Sequence, residues 1–411
     1  MSTVQIQVIP DGSITSTPGF EAAGVACGLK AGGALDLALA YSPQPCVGAA
    51  VFTTNAFRAA PVLYDEKLLG RNRLNLHGVV INSGCANACT GAQGLRDAAA
   101  TAAAAASHLG IDPSGFMVMS TGVIGMPLPM DKVLAGVVEA AAQRSHSLDA
   151  GHSAARAIMT TDTRPKEVAL RVTTSDGEFT IAGMAKGAGM IHPNMATMLC
   201  LVTTDVRVEP APAQKALRHA VDGSLNMVTV DGDTSTNDTA LLLANGLASM
   251  RPIHSLRSTA YHAFLAGLTQ TLTMLAKAIV RDGEGATRFV EITVSGARTP
   301  IEAKQAAMSV ARSLLVKTAI YGQNANWGRI ICAVGYSGVP VDPGSVRVWL
   351  GDLELFRRGE PYEVDEARAR ELLARPEVPI HIDLGQGDSR GTVWTCDLSH
   401  RYVDINAHYR T

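Results

Sequence analysis

Short apolar runs, broken by Gly, Pro and Asn, dominate the first third of the chain. Two of them are CVGAAVFTTN around Val51 and LHGVVINSG around Val80. Short runs with β-branched residues and turn residues at their ends are typical of strands. Two alternating runs over residues 167–182 meet at Ser175-Asp176-Gly177, which predicts a hairpin with a glycine-containing turn.

Helical patterns alternate with these strands. Residues 97–109 are rich in Ala and are followed by Gly110, a helix stop signal. Apolar residues spaced i, i+3, i+4 predict a second helix from Met130, and further helices are expected over 258–279 and 302–315. Strand patterns return at Arg288 and in three runs from Val378, the last covering 402–409. Strands and helices in mixed order favour an α/β or α+β layered fold.

Length and composition narrow the class of protein. A chain of 411 residues, 47% hydrophobic and 18% charged, predicts a globular protein of two or three domains. A net charge of −2 gives no electrostatic reason to expect nucleic acid or an anionic membrane as partner. We also find no basic and apolar secretion signal and no run of 18 apolar residues, and the seven cysteines are scattered, so a cytoplasmic location is expected. Cys85 and Cys89 form a C-x3-C pair without a second ligand pair, and no metal site is predicted.

The stretch KGAGMIHPNMATMLCLVTTD, residues 186–205, carries the clearest chemical signal. A glycine-rich turn and Pro193-Asn194 lead into an apolar run that begins at Thr197 and predicts a buried strand. A threonine in this place can act as a nucleophile if the chain is cut before it, because its own α-amine then serves as general base. The ordinary pKa of an α-amine, about 7.7 to 8.0, suits that exchange of protons.

The order of residues in this stretch resembles the cleavage motif of the ornithine acetyltransferase, or glutamate N-acetyltransferase, family. The resemblance extends along nearly the whole chain in separate motifs that occur in the family's order. They are Gly19-Phe20 with Ala23-Gly24-Val25, Phe52-Thr53-Thr54-Asn55, Asn82-Ser83-Gly84 with Ala86-Asn87-Ala88-Cys89-Thr90-Gly91, Ser120-Thr121-Gly122-Val123-Ile124-Gly125, Met159-Thr160-Thr161-Asp162-Thr163, Asp233-Thr234-Ser235-Thr236-Asn237-Asp238, Asn326-Trp327-Gly328-Arg329 and Ile405-Asn406-Ala407 with Thr411. Two departures are Cys85, where the family has Asn, and Gln323-Asn324-Ala325, where a more acidic, Pro-containing stretch is usual.

The resemblance implies autocatalytic cleavage of the Ala196–Thr197 bond. It divides the chain into an α chain, residues 1–196, and a β chain, residues 197–411, which stay together as a heterotetramer of two α and two β chains. The implied fold is an N-terminal-nucleophile-like sandwich of β-sheets flanked by helices, with two subdomains. The implied reaction takes the acetyl group of N-acetylornithine onto Thr197 and passes it to glutamate, with no cofactor.

The resemblance also assigns the residues of the site. Thr121 and Gly122 are the expected oxyanion hole, by hydroxyl and backbone N–H. The expected substrate pocket comprises Thr161, Lys186, Thr197, Glu284, Asn406 and Thr411. Lys186 suits the substrate carboxylate and Glu284 an ammonium group, and the choice of Thr161 over Thr160 and Thr163 rests on spacing only.

Several alternatives stay open at this stage. His192, five residues before Thr197, could pair with it, although the free α-amine makes a histidine unnecessary. Asp231 and Asp233 resemble part of a calcium loop but lack its Gly and distal Glu, which favours a buried polar network. A self-processing aminopeptidase on a related fold would share the cleavage, and a non-catalytic amino-acid-binding module would have lost Thr197 or Lys186. The sequence leaves open whether acetyl-CoA is a second acetyl donor.

Overall fold

A computed structural model describes residues 4–192, 198–362 and 365–408 of the chain. It contains two β-sheets with helices packed on them, so the expected layered α/β fold is confirmed. Each sheet has its own hydrophobic core, which agrees with the expectation of two subdomains.

The described residues form strands and helices in mixed order along the chain. The strands are β1 (Gln5–Val8), β2 (Glu21–Val25), β3 (Leu37–Phe52), β4 (Leu76–Cys85), β5 (Phe116–Val123), β6 (Lys166–Thr174), β7 (Gly177–Lys186), β8 (Leu199–Thr204), β9 (Thr239–Ala244), β10 (Phe289–Ala297), β11 (Arg347–Leu350), β12 (Leu353–Arg357), β13 (Glu360–Pro361), β14 (Glu377–Asp383) and β15 (Ser389–Cys396). The helices are α1 (Ala60–Arg71), α2 (Gly91–Leu109), α3 (Met130–Gln143), α4 (Leu148–Ala157), α5 (Pro210–Asp222), α6 (Thr259–Arg281), α7 (Pro300–Arg312), α8 (Leu314–Tyr321), α9 (Trp327–Gly335), α10 (Glu366–Ala374) and α11 (His400–His408).

The first sheet has the strand order β1-β6-β7-β8-β9-β3-β4-β5, with β2 paired to β3. Strand β8 lies in its middle, antiparallel to β7 and parallel to β9. Leu199 and Leu201 enter the core on one face of the sheet, and Cys200 and Val202 enter the core on the other. The run after Thr197 is continuously apolar because this strand is buried on both faces.

Helix α6 covers the first sheet with a largely apolar sequence. It is long and apolar enough to cross a membrane by length and composition. Phe264, Leu268, Leu272 and Leu275 are buried in the core that the helix shares with strands β6 and β7. It therefore packs as the core helix of this subdomain.

The second sheet has the order β13-β12-β11-β14-β10-β15 and is covered by α7, which packs against β10 and β15. Strands β1 to β9 belong to the first sheet and β10 to β15 to the second, so the boundary between the two sheets lies between α6 and β10. The expected cleavage point, between residues 196 and 197, falls instead inside the first sheet, in the connection from β7 to β8. That connection joins two hydrogen-bonded neighbours, since Lys186 lies opposite Leu199 in their register.

Most of the elements expected from the sequence are confirmed, and two expectations were wrong. The helix expected over 302–315 is interrupted at Ser313, which ends α7 and caps α8 by accepting a hydrogen bond from the Val316 N–H at 3.3 Å. The final run, expected as a strand from residue 402, is helix α11. Its Tyr402 and Asn406, four residues apart, both line one cavity, and a helix presents such residues on the same face.

Candidate active site

A cavity of about 350 Å³ contains all the described residues that the sequence assigned to the site. Thr121, Gly122, Thr161, Lys186, Glu284 and Asn406 all line it, although they come from five separated segments of the chain. Ala196, Thr197 and Thr411 lie outside the described residues. Met198, the first described residue after the expected cleavage point, begins the approach to β8.

Thr121 and Gly122 lie near the end of β5, where this strand runs beside the end of β4. Gly122 has φ +128°, and a Cβ atom there would lie 2.3 Å from the backbone carbon of Gly84. Only glycine fits this conformation and this contact. The backbone of the neighbouring strand therefore requires the glycine at this position.

The ammonium group of Lys186 contacts the hydroxyl group of Thr121. The Lys186 Nζ to Thr121 Oγ1 distance is 3.2 Å, and both side chains are buried. A lysine ammonium can only donate, so the threonine oxygen accepts this hydrogen bond. The hydroxyl proton of Thr121 is therefore free to be donated to another acceptor, as an oxyanion-hole donor requires.

Lys186 belongs to a buried group of charges. Burial lowers the pKa of Lys186, and the nearby carboxylate of Asp162 acts in the opposite direction. Burial alone would raise the pKa of Asp162, but Lys186 and Lys166 outweigh it and lower that pKa to about 2. Asp162 also accepts hydrogen bonds from Lys166 Nζ at 2.5 Å and from the Gly187 N–H at 2.7 Å. Asp162 thus stays ionised and fixes the backbone just after Lys186.

Glu284 supplies the negative charge that the substrate hypothesis requires. Its Oε2 accepts a hydrogen bond from Asn406 Nδ2 at 2.7 Å, which joins helix α11 to the cavity. A Cβ atom at Gly189 would lie 2.4 Å from the Glu284 carboxylate, so a larger residue there would displace this carboxylate. Asn406 is consequently held at the wall of the cavity.

The structure separates the three threonines that the sequence could not distinguish. Thr160 and Thr161 both line the cavity. Thr163 instead donates its hydroxyl and its backbone N–H to Asp282. The choice of Thr161 therefore stays a prediction, because Thr160 lines the same cavity.

Asp238 is a buried acid beside the expected nucleophile, and the sequence alone indicated no role for it. Its Oδ1 accepts the Met198 N–H at 2.9 Å, and its Oδ2 is buried without a hydrogen-bond partner among the described residues. Burial raises its pKa well above the usual range, against the opposing influence of Lys186. Asp238 thus fixes the backbone next to residue 197. The signal that could have found it is the DTSTND motif, in which it is the last residue.

Residues between Asp231 and Asn237 form one wall of the cavity. Asn237 bridges two other segments, donating from Nδ2 to the carbonyl oxygens of Ala86 at 2.6 Å and Ser120 at 2.8 Å. Asp231 accepts the N–H groups of Met190 at 2.6 Å and Ile191 at 2.9 Å. Asp231 thus belongs to a polar network that holds the loop after Lys186, but it is half-buried and Asp233 is exposed, so the network is not buried as a whole.

His192 does not line this cavity. Its ring faces a second cavity beside α7, and its Nδ1 lies 3.3 Å from Thr229 Oγ1. Asn326-Trp327-Gly328-Arg329 is also outside the site. Asn326 caps α9 by accepting the Arg329 N–H, and Trp327 stacks on Phe356 in the second subdomain.

Comparison with known proteins identifies the family. The model of the ArgJ family matches residues 21–411. The chain belongs to the ArgJ family. It is 52% identical over 403 residues to the arginine biosynthesis bifunctional protein ArgJ of Symbiobacterium thermophilum, covering 97% of this chain and 99% of that protein. It is 48% identical over 430 residues to the mitochondrial protein of the same name from Verticillium alfalfae, covering 96% and 90%.

A solved structure gives the same result. The crystal structure of the arginine biosynthesis bifunctional protein ArgJ from Bacillus halodurans is 41% identical, with a TM-score of 0.50. It covers 51% of this chain and 98% of the solved chain. ArgJ family membership confirms the resemblance found in the sequence motifs and the expectation of an acyltransferase enzyme of arginine biosynthesis.

Proposed function

We propose that this ArgJ family member transfers the acetyl group of N-acetyl-L-ornithine to L-glutamate through an acetyl ester on Thr197. The observation that carries the proposal is the convergence of Thr121, Lys186 and Glu284 on one cavity of about 350 Å³. A cavity of this size suits a small molecule. Its cation and its carboxylate suit the opposite charges of an amino acid.

The chemistry begins with cleavage of the chain. The hydroxyl of Thr197 attacks the carbonyl carbon of Ala196, the peptide C–N bond breaks, and water hydrolyses the resulting ester. The product is a free α-amine on Thr197 that can act as general base for its own hydroxyl. Asp238 supports this step by holding the adjacent Met198 N–H in place.

Transfer then proceeds in two halves. Thr197 Oγ bonds to the acetyl carbon of N-acetylornithine, its proton passes through the α-amine to the ornithine nitrogen, and the C–N bond breaks. In the second half the amine nitrogen of glutamate bonds to the acetyl carbon, the ester C–O bond to Thr197 breaks, and the proton lost by the amine returns to Thr197 Oγ. The negative oxygen formed in each half requires a donor, and the hydroxyl proton of Thr121 and the backbone N–H of Gly122 are the proposed pair.

The two fragments are proposed to remain one protein. Strands β7 and β8 pair over six residues each, from Ile181 opposite Thr204 to Lys186 opposite Leu199, so the cut does not separate the sheet. The Bacillus halodurans chain corresponds to 51% of this chain over nearly all of its own length, close to the share of a fragment covering 197–411. We further propose assembly of two α and two β chains, use of acetyl-CoA as a second acetyl donor, and a cytoplasmic location.

A coupled assay tests the proposed reaction against its nearest alternative, a self-processing aminopeptidase. Purified protein is incubated with N-acetylornithine and glutamate, and separately with peptide amides. We expect ornithine and N-acetylglutamate in equal amounts, with the parallel initial-rate lines of ping-pong kinetics. Release of acetate without N-acetylglutamate, or faster peptide hydrolysis than acetyl transfer, would contradict the proposal.

A further inference from the structure

A second cavity, of about 660 Å³, lies on α7 beside the active site. Ile301, Lys304, Met308 and Arg312 line it, with a spacing that places them on one face of the helix. His192 and Tyr336 contribute to the wall from outside the helix. We call this space the α7 cavity.

The α7 cavity is positively charged. Neither Lys304 nor Arg312 has a carboxylate within ion-pair distance in the part of the chain that the structure describes, and no carboxylate lines the cavity. Asp222 exerts a weaker attraction on Lys304 from outside it. Burial lowers the pKa of His192 to about 4, and the positive charges of Arg312 and Lys304 act in the same direction. Lys304 and Arg312 thus line one cavity in which no described residue supplies a negative charge.

The rim of the α7 cavity is apolar and exposed. The side chains of Ile301 and Tyr336 are 76% and 64% exposed, among the most exposed large hydrophobic residues described. A tyrosine ring open to a cavity can stack on a planar group. Lys304 and Arg312 are eight residues apart, or about 12 Å along the helix at 1.5 Å per residue. This pattern suits a ligand with separated anionic groups and a planar ring, and suits a compact amino acid poorly.

The α7 cavity adjoins the active site through a thin wall. A Cβ atom built on Gly232 would lie 3.6 Å from Nε of Arg312, while the neighbouring Asp231 and Asp233 line the catalytic cavity. The loop from Met190 to His192 likewise lines the catalytic cavity at one end and the α7 cavity at the other. A ligand in the α7 cavity therefore lies next to the loop from Met190 to His192, which also borders the catalytic cavity.

We propose that the α7 cavity binds the phosphate-bearing nucleotide part of acetyl-CoA, with Lys304 and Arg312 on its phosphates and Tyr336 against its base. This inference rests on the proposed function and locates its second acetyl donor. The acetyl thioester is then delivered to Thr197. Thr197 Oγ bonds to the acetyl carbon, the C–S bond breaks, and the threonine proton leaves on the thiol of CoA. Glutamate receives the acetyl group from the ester as before.

The test compares acetyl-CoA with S-acetylpantetheine, which carries the same thioester without nucleotide or phosphates. In the wild-type protein, with glutamate as acceptor, we expect kcat/KM to be about 100-fold higher for acetyl-CoA than for S-acetylpantetheine. Each phosphate contact should contribute about tenfold. In the double variant Lys304→Gln/Arg312→Gln this preference should fall to about threefold or less. A matched control is Lys67→Gln/Arg251→Gln, which removes two exposed cations that line neither cavity and should keep the preference.

Transfer from N-acetylornithine to glutamate is measured in every variant. It should stay within about twofold of wild type, which shows that the double variant is folded, cleaved and active. A preference for acetyl-CoA that survives the double substitution, or is equally lost in the control, would overturn the α7 assignment. Absence of acetyl-CoA turnover in a protein active with N-acetylornithine would also overturn it. Loss of the N-acetylornithine reaction from wild-type protein would instead contradict the proposed function itself.

Discussion

Lys186 donates a hydrogen bond to Thr121 across 3.2 Å, and this pair joins strand β7 to strand β5 at the wall of the cavity. The residues are 65 positions apart in the chain. The contact leaves the threonine proton available to another acceptor, because the ammonium can only donate to the oxygen.

The first prediction concerns this hydroxyl. Thr121→Val keeps the shape of the side chain but removes the donor, so kcat should fall by roughly 10² to 10³ with a much smaller change in KM. Thr121→Ala should be no better than valine, and Thr121→Ser should retain most of the activity. Steady-state kinetics on correctly cleaved protein provide the check, and near-normal kcat in Thr121→Val would remove Thr121 from the mechanism.

The second prediction concerns the charge of Lys186. Burial lowers its pKa, so the charged form is lost at a lower pH than for an ordinary lysine, and activity should fall as pH rises through that value. Arginine stays charged throughout, so Lys186→Arg should retain activity at high pH even if its maximum is reduced, whereas Lys186→Met should be nearly inactive. The measurement is kcat/KM against pH, and identical alkaline limbs in wild type and Lys186→Arg would refute the assignment.

The third prediction separates binding from chemistry at Glu284. Glu284→Gln keeps the size and an oxygen that can accept from Asn406, but removes the charge that attracts an ammonium group. KM for N-acetylornithine should rise about tenfold or more, since a buried charged contact is worth at least about 1.4 kcal/mol. Asn406→Ala should show a smaller rise. A loss confined to kcat would place Glu284 in proton transfer instead.

The fourth prediction concerns processing. The purified protein should contain fragments of residues 1–196 and 197–411, the second beginning with Thr197. Thr197→Ala removes the nucleophile and should leave one inactive chain, while Thr197→Ser should still be cleaved. Intact-mass measurement and N-terminal sequencing give the answer. A full-length wild-type chain with normal activity is the contrary outcome, and fragments that separate on native sizing would contradict their retention through β7 and β8.

The fifth prediction concerns stability and pH at Asp65, away from the site. Asp65 is wholly buried, its Oδ1 accepts the Val118 N–H at 3.0 Å, and its Oδ2 has no partner among the described residues. Burial raises its pKa well above the usual range, so its contribution to stability is present below the ordinary pKa and is lost as pH rises through the raised value.

Asp65→Asn cannot ionise and should therefore escape this loss. The difference in Tm between variant and wild type should favour the variant more at pH 8 than at pH 5, by about 2 °C or more. Calorimetry at the two pH values measures it. Asp176→Asn, in the exposed turn between β6 and β7, serves as the control and should show no such trend. Equal trends in both variants would contradict the role of Asp65.

Local patterns were enough to predict much of the secondary structure. Gly110 ends α2 in a left-handed conformation with φ +68°, as its place after an Ala-rich run indicated. The turn at Ser175-Asp176-Gly177 joins β6 to β7 as expected. These features depend on residues that are neighbours in the chain, so they can be predicted from the local sequence. The last run was predicted wrongly as a strand. The face of α11 that lines the cavity carries polar residues, so the helix lacks the apolar spacing from which a helix is predicted.

Residue identity and order were enough to indicate the family, the candidate nucleophile and the residues proposed to surround it. What each of these residues contacts follows from the fold. It placed Thr163 on Asp282 and away from the cavity, turned His192 towards α7, and gave Asp162 and Asp238 their positions beside Lys186 and Met198. Those outcomes depend on contacts between residues tens to more than a hundred positions apart. Burial then sets their charges, and no local pattern of residues contains either kind of information.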